Sequence, residues 1–141
     1  MSNLTAFLAQ NAMKVENEKY VASKRFVDEG KPIEWEICGI TGEEDEALRK
    51  ACTKRMPVPG KRNMYTPETD FPLYVARLVT KCVVYPNLND VDVQNSYGVM
   101  GAEALVKAML TPGEYADLGA KIQEINGFNV PLDEAVDEAK N

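Results

Sequence analysis

Histidine is missing altogether from the 141 residues. Imidazole has the ordinary pKa nearest neutrality and is the commonest general base and metal ligand. Its absence excludes Ser-His and Cys-His nucleophile pairs, His-bearing zinc sites and imidazole pH switches. Cysteine is scarce: Cys38, Cys52 and Cys82 are odd in number and lie 14 and 30 residues apart. That spacing suits neither a disulfide framework nor a Cys-x-x-Cys metal site, so reduced thiols are expected. Positive charge is short too, with 16 Lys and Arg against 22 Asp and Glu. The resulting net charge of −6 argues against a nucleic-acid partner, whose affinity would come mainly from neutralising phosphates. No apolar run approaches the roughly 20 residues that cross a bilayer. The opening Met1-Ser2-Asn3-Leu4-Thr5 lacks the basic and apolar regions of a signal peptide. No membrane partner and a cytoplasmic location are therefore expected.

Phosphate loops and cation loops are absent as well. Gly98 and Gly101 precede a helical stretch without the flanking strand or the further glycines of a phosphate-binding turn. The run Glu43 to Glu46 lacks the alternating ligands and central glycine of a calcium loop. Asp90 and Asp92, two apart, would diverge on a helix. The expectation is a non-enzymatic chain with no catalytic residue, no cofactor and no metal ligand.

What is present is an ordinary globular composition, 45% apolar and 27% charged. A chain of this size fits one domain, 1–141. The patterning predicts an α+β fold, mostly helical, with about five helices and one N-terminal β-hairpin. Leu4, Phe7, Leu8, Ala12 and Val15 recur at spacings of three and four and predict a helix within 1–17. A hairpin is expected over 20–38, turning at Asp28-Glu29-Gly30-Lys31, with Val27 opposite Pro32, Phe26 opposite Ile33, Arg25 opposite Glu34 and Lys24 opposite Trp35. Ile33, Trp35 and Ile37 would share its dry face.

Thr41 and Glu44 form a capping-box pair that opens a helix over 41–55, with acids in its first turn, bases toward its end, and Ala47, Leu48, Ala51 and Cys52 inward. Two prolines and a glycine within Pro57-Val58-Pro59-Gly60 predict a loop over 56–68, and the stretch from Arg49 to Arg62 holds six basic residues and no acidic one. A helical body is expected over 69–127. Its first helix, capped by Thr69 or Asp70, would run to Tyr85 and stop at Pro86. A short segment follows from Asn89 or Asp90 to Gly98, then a helix over 99–110. The last helix of the body has Thr111 as N-cap, Pro112 at its first position, Glu114 closing a capping box, Leu110 and Tyr115 as a hydrophobic staple, and Gly127 as C-cap. A short acidic helix is expected within 131–141.

The chain also resembles a known family, the XkdN-like tail assembly chaperones of Bacillus-type tailed phages and PBSX-like defective prophages. The resemblance rests on Ser2-Asn3-Leu4-Thr5-Ala6-Phe7-Leu8, Lys19-Tyr20-Val21-Ala22-Ser23-Lys24-Arg25-Phe26, Pro32-Ile33-Glu34-Trp35-Glu36-Ile37 and Glu44-Asp45-Glu46-Ala47-Leu48-Arg49-Lys50. It continues through Pro57-Val58-Pro59-Gly60-Lys61, Tyr85-Pro86-Asn87-Leu88-Asn89, Ser96-Tyr97-Gly98-Val99-Met100-Gly101-Ala102-Glu103 and the Leu110 to Tyr115 staple, so it spans nearly the whole chain.

This resemblance implies a non-enzymatic protein that binds the phage tape measure protein and keeps it soluble until tail tube subunits polymerise around it. It also implies a place in the bacterial cytoplasm and absence from the mature virion. Contact with the tail tube protein would go through a longer frameshifted form, and homo-oligomers are possible. The alternative is a small prophage-encoded adaptor or regulatory binding protein. For partner binding the candidates are Phe7 and Leu8 on the N-terminal helix and Met100, Leu105 and Met109 on the 99–110 helix, with Lys61 and Arg62 in the basic loop. Core packing is the competing explanation for the apolar ones, and a solvated loop for the basic pair.

Overall fold

The structure, a computed structural model, describes residues 3–128. After a 3-10 turn at Asn3–Phe7 come β1 (Glu18–Tyr20), β2 (Val27–Asp28), β3 (Lys31–Pro32) and β4 (Trp35–Ile37). Then follow α1 (Gly42–Ala51), β5 (Thr53–Pro57), β6 (Tyr65–Thr69), α2 (Phe71–Cys82) and β7 (Val83–Tyr85). The described part ends with α3 (Val91–Ser96), α4 (Ala102–Met109) and α5 (Pro112–Ile125). The fold is α+β, with five α-helices among the described residues.

Local chemistry places the helix ends. At α1 the Thr41 amide donates to Glu44 Oε1 at 3.1 Å and the Glu44 amide donates back to Thr41 Oγ1 at 3.1 Å. The same reciprocal pair opens α5: the Thr111 amide reaches Glu114 Oε1 at 2.9 Å and the Glu114 amide reaches Thr111 Oγ1 at 3.2 Å. Each box satisfies amides that a helix start leaves orphaned. Asp70 and Asp90 cap α2 and α3 through one carboxylate oxygen each. At the end of α5, Gly127 adopts φ 86°, its amide donates to the Glu124 carbonyl, and the Phe128 amide donates to Gln123. That pair of bonds is a Schellman closure, which needs the left-handed residue that glycine supplies.

Helix α2 is the centre of the packing, touching α1, α4 and α5. Tyr74, Leu78, Val79 and Cys82 on it are fully buried together with Leu105 and Val106 of α4 and Leu118 and Ile122 of α5. Trp35 and Ile37 close the other side of this core from a three-stranded antiparallel sheet of order β1-β4-β7. The Glu36 side chain between them faces outward and pairs with Lys19 at 2.9 Å.

Several expectations are corrected. No helix of three turns forms at the N-terminus: a single 3-10 turn is followed by irregular chain, because its apolar residues find no surface to cover. The hairpin turn is right at Val27 opposite Pro32, and the Ile33 amide bonds Phe26 at 2.8 Å. Beyond that the chain at 21–26 leaves the ladder, so Trp35 lies opposite Tyr20 rather than Lys24, and Arg25 reaches the Met109 carbonyl and Glu114 rather than facing Glu34. Trp35 and Ile37 are buried as expected, while Ile33 is only half-buried.

Helix α1 ends at Ala51, not residue 55, and of its expected inward stripe Cys52 is buried, Leu48 half-buried, and Ala47 and Ala51 exposed. The expected loop at 56–68 belongs instead to a second hairpin, β5 paired with β6 from Thr53↔Thr69 to Pro57↔Tyr65. Pro57 and Pro67 are tolerated there because both strands are edges with no further neighbour. Helix α2 stops at Cys82, since Val83, Val84 and Tyr85 pair with β4 and Pro86 follows. Helix α4 begins at Ala102 rather than residue 99, because Gly101 sits at φ 95° and breaks the run. The acidic helix expected within 131–141 lies outside the described residues.

Candidate functional site

The seven candidate residues fall on four parts of the fold. Phe7 and Leu8 lie on the N-terminal arm, 79% and 47% exposed, and Leu4, Met13 and Val15 on the same arm are also exposed. Met100, 92% exposed, stands just before α4. Leu105 and Met109 are buried, because α4 turns that face onto the core with Val106 and Leu110. They offer no free surface, and the apolar stripe imagined across residues 99–109 is divided at Gly101 into an exposed and a buried part. Lys61 and Arg62 are exposed at the tip of the β5–β6 hairpin.

The exposed apolar side chains form the candidate partner surface. The arm keeps its shape through local bonds: the Leu8 amide donates to the Thr5 carbonyl at 3.2 Å, the Asn11 amide to Leu8 at 2.9 Å, and Asn11 Nδ2 to Thr5 at 2.8 Å. These bonds hold a compact turn that shows Phe7 and Leu8 outward. The sequence singles out these two as candidates and gives Val15 only as part of a helix face, whereas the structure also leaves Met13 and Val15 96% and 82% exposed, and exposes Met56, Met64 and Tyr65 on the second hairpin. A signal for the hairpin was present in Tyr65-Thr66-Pro67-Glu68-Thr69, rich in residues that favour strands.

Several titratable groups are engaged in structure. Asp45 accepts from Arg49 Nε at 2.9 Å and from the Tyr74 hydroxyl. Burial, reinforced by Asp45, pushes the Tyr74 phenol well above its ordinary value. Asp45 also lines a cleft of about 110 Å³ with Ile40, Thr41, Gly42, Asn126 and Phe128. Each carboxylate oxygen already accepts one of these bonds, and among the described residues Asp45 is the one lining side chain that carries an ionisable group. Glu44 and Glu114 are held below the usual carboxylate range, chiefly by the backbone amides of Thr41 and Thr111.

Burial pushes the Cys82 thiol up to about 11 and raises that of Cys38. Both thiolates are therefore disfavoured at neutral pH, the opposite of an activated nucleophile. Among the described residues no three Cys, Asp or Glu side chains are placed to hold a metal, and no helix is long and apolar enough to cross a membrane. What the arrangement can do is present surfaces: an apolar arm and a basic hairpin.

The model of the phage XkdN-like tail assembly chaperone family matches residues 4–140. The chain is 31% identical to the phage-like element PBSX protein XkdN of Bacillus subtilis (strain 168), over 99% of this chain and 94% of that protein. It is 31% identical to the protein YqbN of the same strain, over 99% of this chain and 93% of the relative. The crystal structure of the protein YqbN superposes with a TM-score of 0.77 at 27% identity, covering 92% of this chain and 99% of that one.

Proposed function

The chain belongs to the phage XkdN-like tail assembly chaperone family, and from that premise we propose that it binds the cognate tape measure protein and keeps it soluble until the tail tube polymerises. The full-length family match is the observation that carries this reading. The physics supports it. A long helical partner that aggregates alone needs its apolar stripes covered, and the arm from Leu4 to Val15 offers apolar side chains that the rest of the fold leaves exposed. Methionines such as Met13 and Met100 give contacts that adapt to repeating but unequal helical segments. The role is non-enzymatic: the chaperone acts in the host cytoplasm, in several copies per tape measure, and leaves before the tail is complete.

Co-expression with the tape measure protein is the test. The expected result is a soluble tape measure that co-elutes with this chain in size-exclusion chromatography, and purified tails from which this chain is missing. A tape measure equally soluble with and without it, and no complex on the column, would refute the reading and favour a small prophage adaptor.

A further inference from the structure

The β5–β6 hairpin is a second surface that the proposed chaperone role does not account for. None of its residues from Thr53 to Thr69 is buried. At its base the Thr53 and Thr69 hydroxyls lie 2.8 Å apart, Thr53 Oγ1 donates to the Arg49 carbonyl at 2.7 Å, and the Asp70 amide donates to the Cys52 carbonyl at 2.9 Å. A two-stranded ladder with no buried face is marginal in water, so this arm is built as if something covers it.

Its charge says what kind of surface that is. The hairpin holds four of the chain's 16 basic side chains and one of its 22 acidic ones, which makes a chain of net −6 into a hairpin of +3 on a remainder of −9. Arg55 stacks on the Tyr65 ring at 5.6 Å, and no ion pair neutralises Lys54, Lys61 or Arg62 among the described residues, even though Lys54 stands opposite Glu68 in the ladder. A polyanion such as nucleic acid would meet the hairpin only against the repulsion of the −9 remainder.

A second copy of the chain brings the complementary charge. The first turn of α1 is a run of four acids, Glu43 to Glu46, with no base before Arg49. Asp45 is held by Arg49 and Glu44 by Lys81, which leaves Glu43 and Glu46 exposed and without an ionic partner among the described residues. We infer that the chain self-associates by docking the basic hairpin tip of one copy, Lys61 and Arg62, on the acidic start of α1 of another, Glu43 and Glu46. Exposed Met56, Met64 and Tyr65 supply the apolar part of the same contact. Copies gathered along one partner would meet at high local concentration, where a weak charged contact is enough.

Sedimentation velocity on the purified full chain tests this without any partner, so it stands or falls separately from tape measure binding. Wild type should self-associate at about 0.05 M salt and dissociate toward about 0.5 M, where screening shortens the Debye length. K61E/R62E and E43K/E46K should each weaken self-association by on the order of tenfold or more. Mixed, the two variants should associate again, because each hairpin then faces a complementary helix start. All four positions are exposed; K61E/R62E should melt like wild type, whereas E43K/E46K, which puts bases at the start of α1, should melt somewhat lower yet stay folded at the temperature of the measurement. A wild-type chain that stays monomeric at low salt overturns the inference, as does unchanged association in K61E/R62E or failure of the mixed variants to restore it. If K61E/R62E instead loses only the tape measure complex, the hairpin serves a foreign partner and self-docking is wrong.

Discussion

The Arg49 guanidinium sits over the Tyr74 ring, 4.7 Å from its centroid, and ties α1 to α2. Asp45, one turn before Arg49, receives both the Arg49 Nε–H and the Tyr74 hydroxyl, so two side chains share one half-buried carboxylate. Burial alone would lower the Arg49 pKa, but the bond to Asp45 and the Tyr74 contact more than offset it. Tyr74→Phe removes one donor and should cost about 1 kcal/mol. Asp45→Ala strands two donors and should cost about 2–3 kcal/mol in urea unfolding. Equal costs for the two variants would mean that the carboxylate is not the shared centre.

Trp35 and Leu105 approach the core from the sheet side and the helix side, 1% and 0% exposed. Replacing either with alanine should cost on the order of 3 kcal/mol. Thr111→Ala loses one half of the α5 capping box and should cost about 1 kcal/mol. Denaturant midpoints with unchanged slopes would check all three, and a loss below about 1 kcal/mol at both core sites would refute the packing assigned to them.

How much of this was legible in the sequence follows from range. Both capping boxes and the Gly127 closure are signals within a few residues and stand where the spacing puts them, and Asp70 and Asp90 take the caps that the sequence left open to Thr69 or Asn89 as well. The pairing of Tyr20 with Trp35 is not local: it depends on the chain at 21–26 leaving the ladder so that Arg25 can reach the Met109 carbonyl, 84 residues away in sequence. Val83 to Tyr85 reads as the tail of a helix until β4 is there to pair with it. The second hairpin was hidden by its own prolines, which exclude a central strand but not an edge. The candidate surface was legible only in part, since Phe7 and Met109 look alike as periodic apolar residues and only packing separates the exposed one from the buried one.

Gly119 offers a stabilising change. It lies inside α5, and a Cβ built there would meet Val75 Cγ1 at 3.7 Å and Val79 Cγ2 at 4.0 Å, both ordinary apolar contacts. Glycine in a helix interior costs up to about 1 kcal/mol relative to alanine, so Gly119→Ala should raise stability by roughly 0.5–1 kcal/mol. Gly119→Leu would overfill the α2–α5 contact and should destabilise by about 1–3 kcal/mol. Gly101→Ala should lower stability, because φ 95° strains any residue with a Cβ. Thermal melts on the three variants would show the opposite signs.

The pH profile should have no histidine limb. On the acid side, Glu36, Glu44 and Glu114 are held below their ordinary 4.5. Their contribution is present above that value and is lost as pH falls through the lower folded values. On the alkaline side Cys82 leads, its pKa raised from 9.0 to about 11 by burial. Its contribution is full below about pH 9 and lost as pH rises toward 11, on the order of 2 kcal/mol. Cys82→Ala should make that limb shallower, leaving the loss from Cys38, which burial also raises, and from about pH 10 that of Tyr74. An unchanged limb in the variant would assign it to other groups.

Binding and folding should separate on the N-terminal arm. Phe7 and Leu8 are held by local bonds and exposed, whereas Leu105 and Met109 are core. Phe7→Asp with Leu8→Asp should therefore leave the melting temperature within about 2 °C of wild type, since surface changes away from the core are close to neutral. The same pair should sharply reduce the amount of soluble tape measure protein recovered on co-expression, because two anchors of an apolar contact become charges that must be desolvated on binding. Met100→Asp, on a separate part of the surface, should reduce recovery less if the arm is the main contact. Leu105→Ala serves as the contrast: it should lower stability first, and affect recovery only through the fraction of chain that is folded. Full recovery with both aspartates in place would remove the arm from the binding surface while leaving the fold assignment intact.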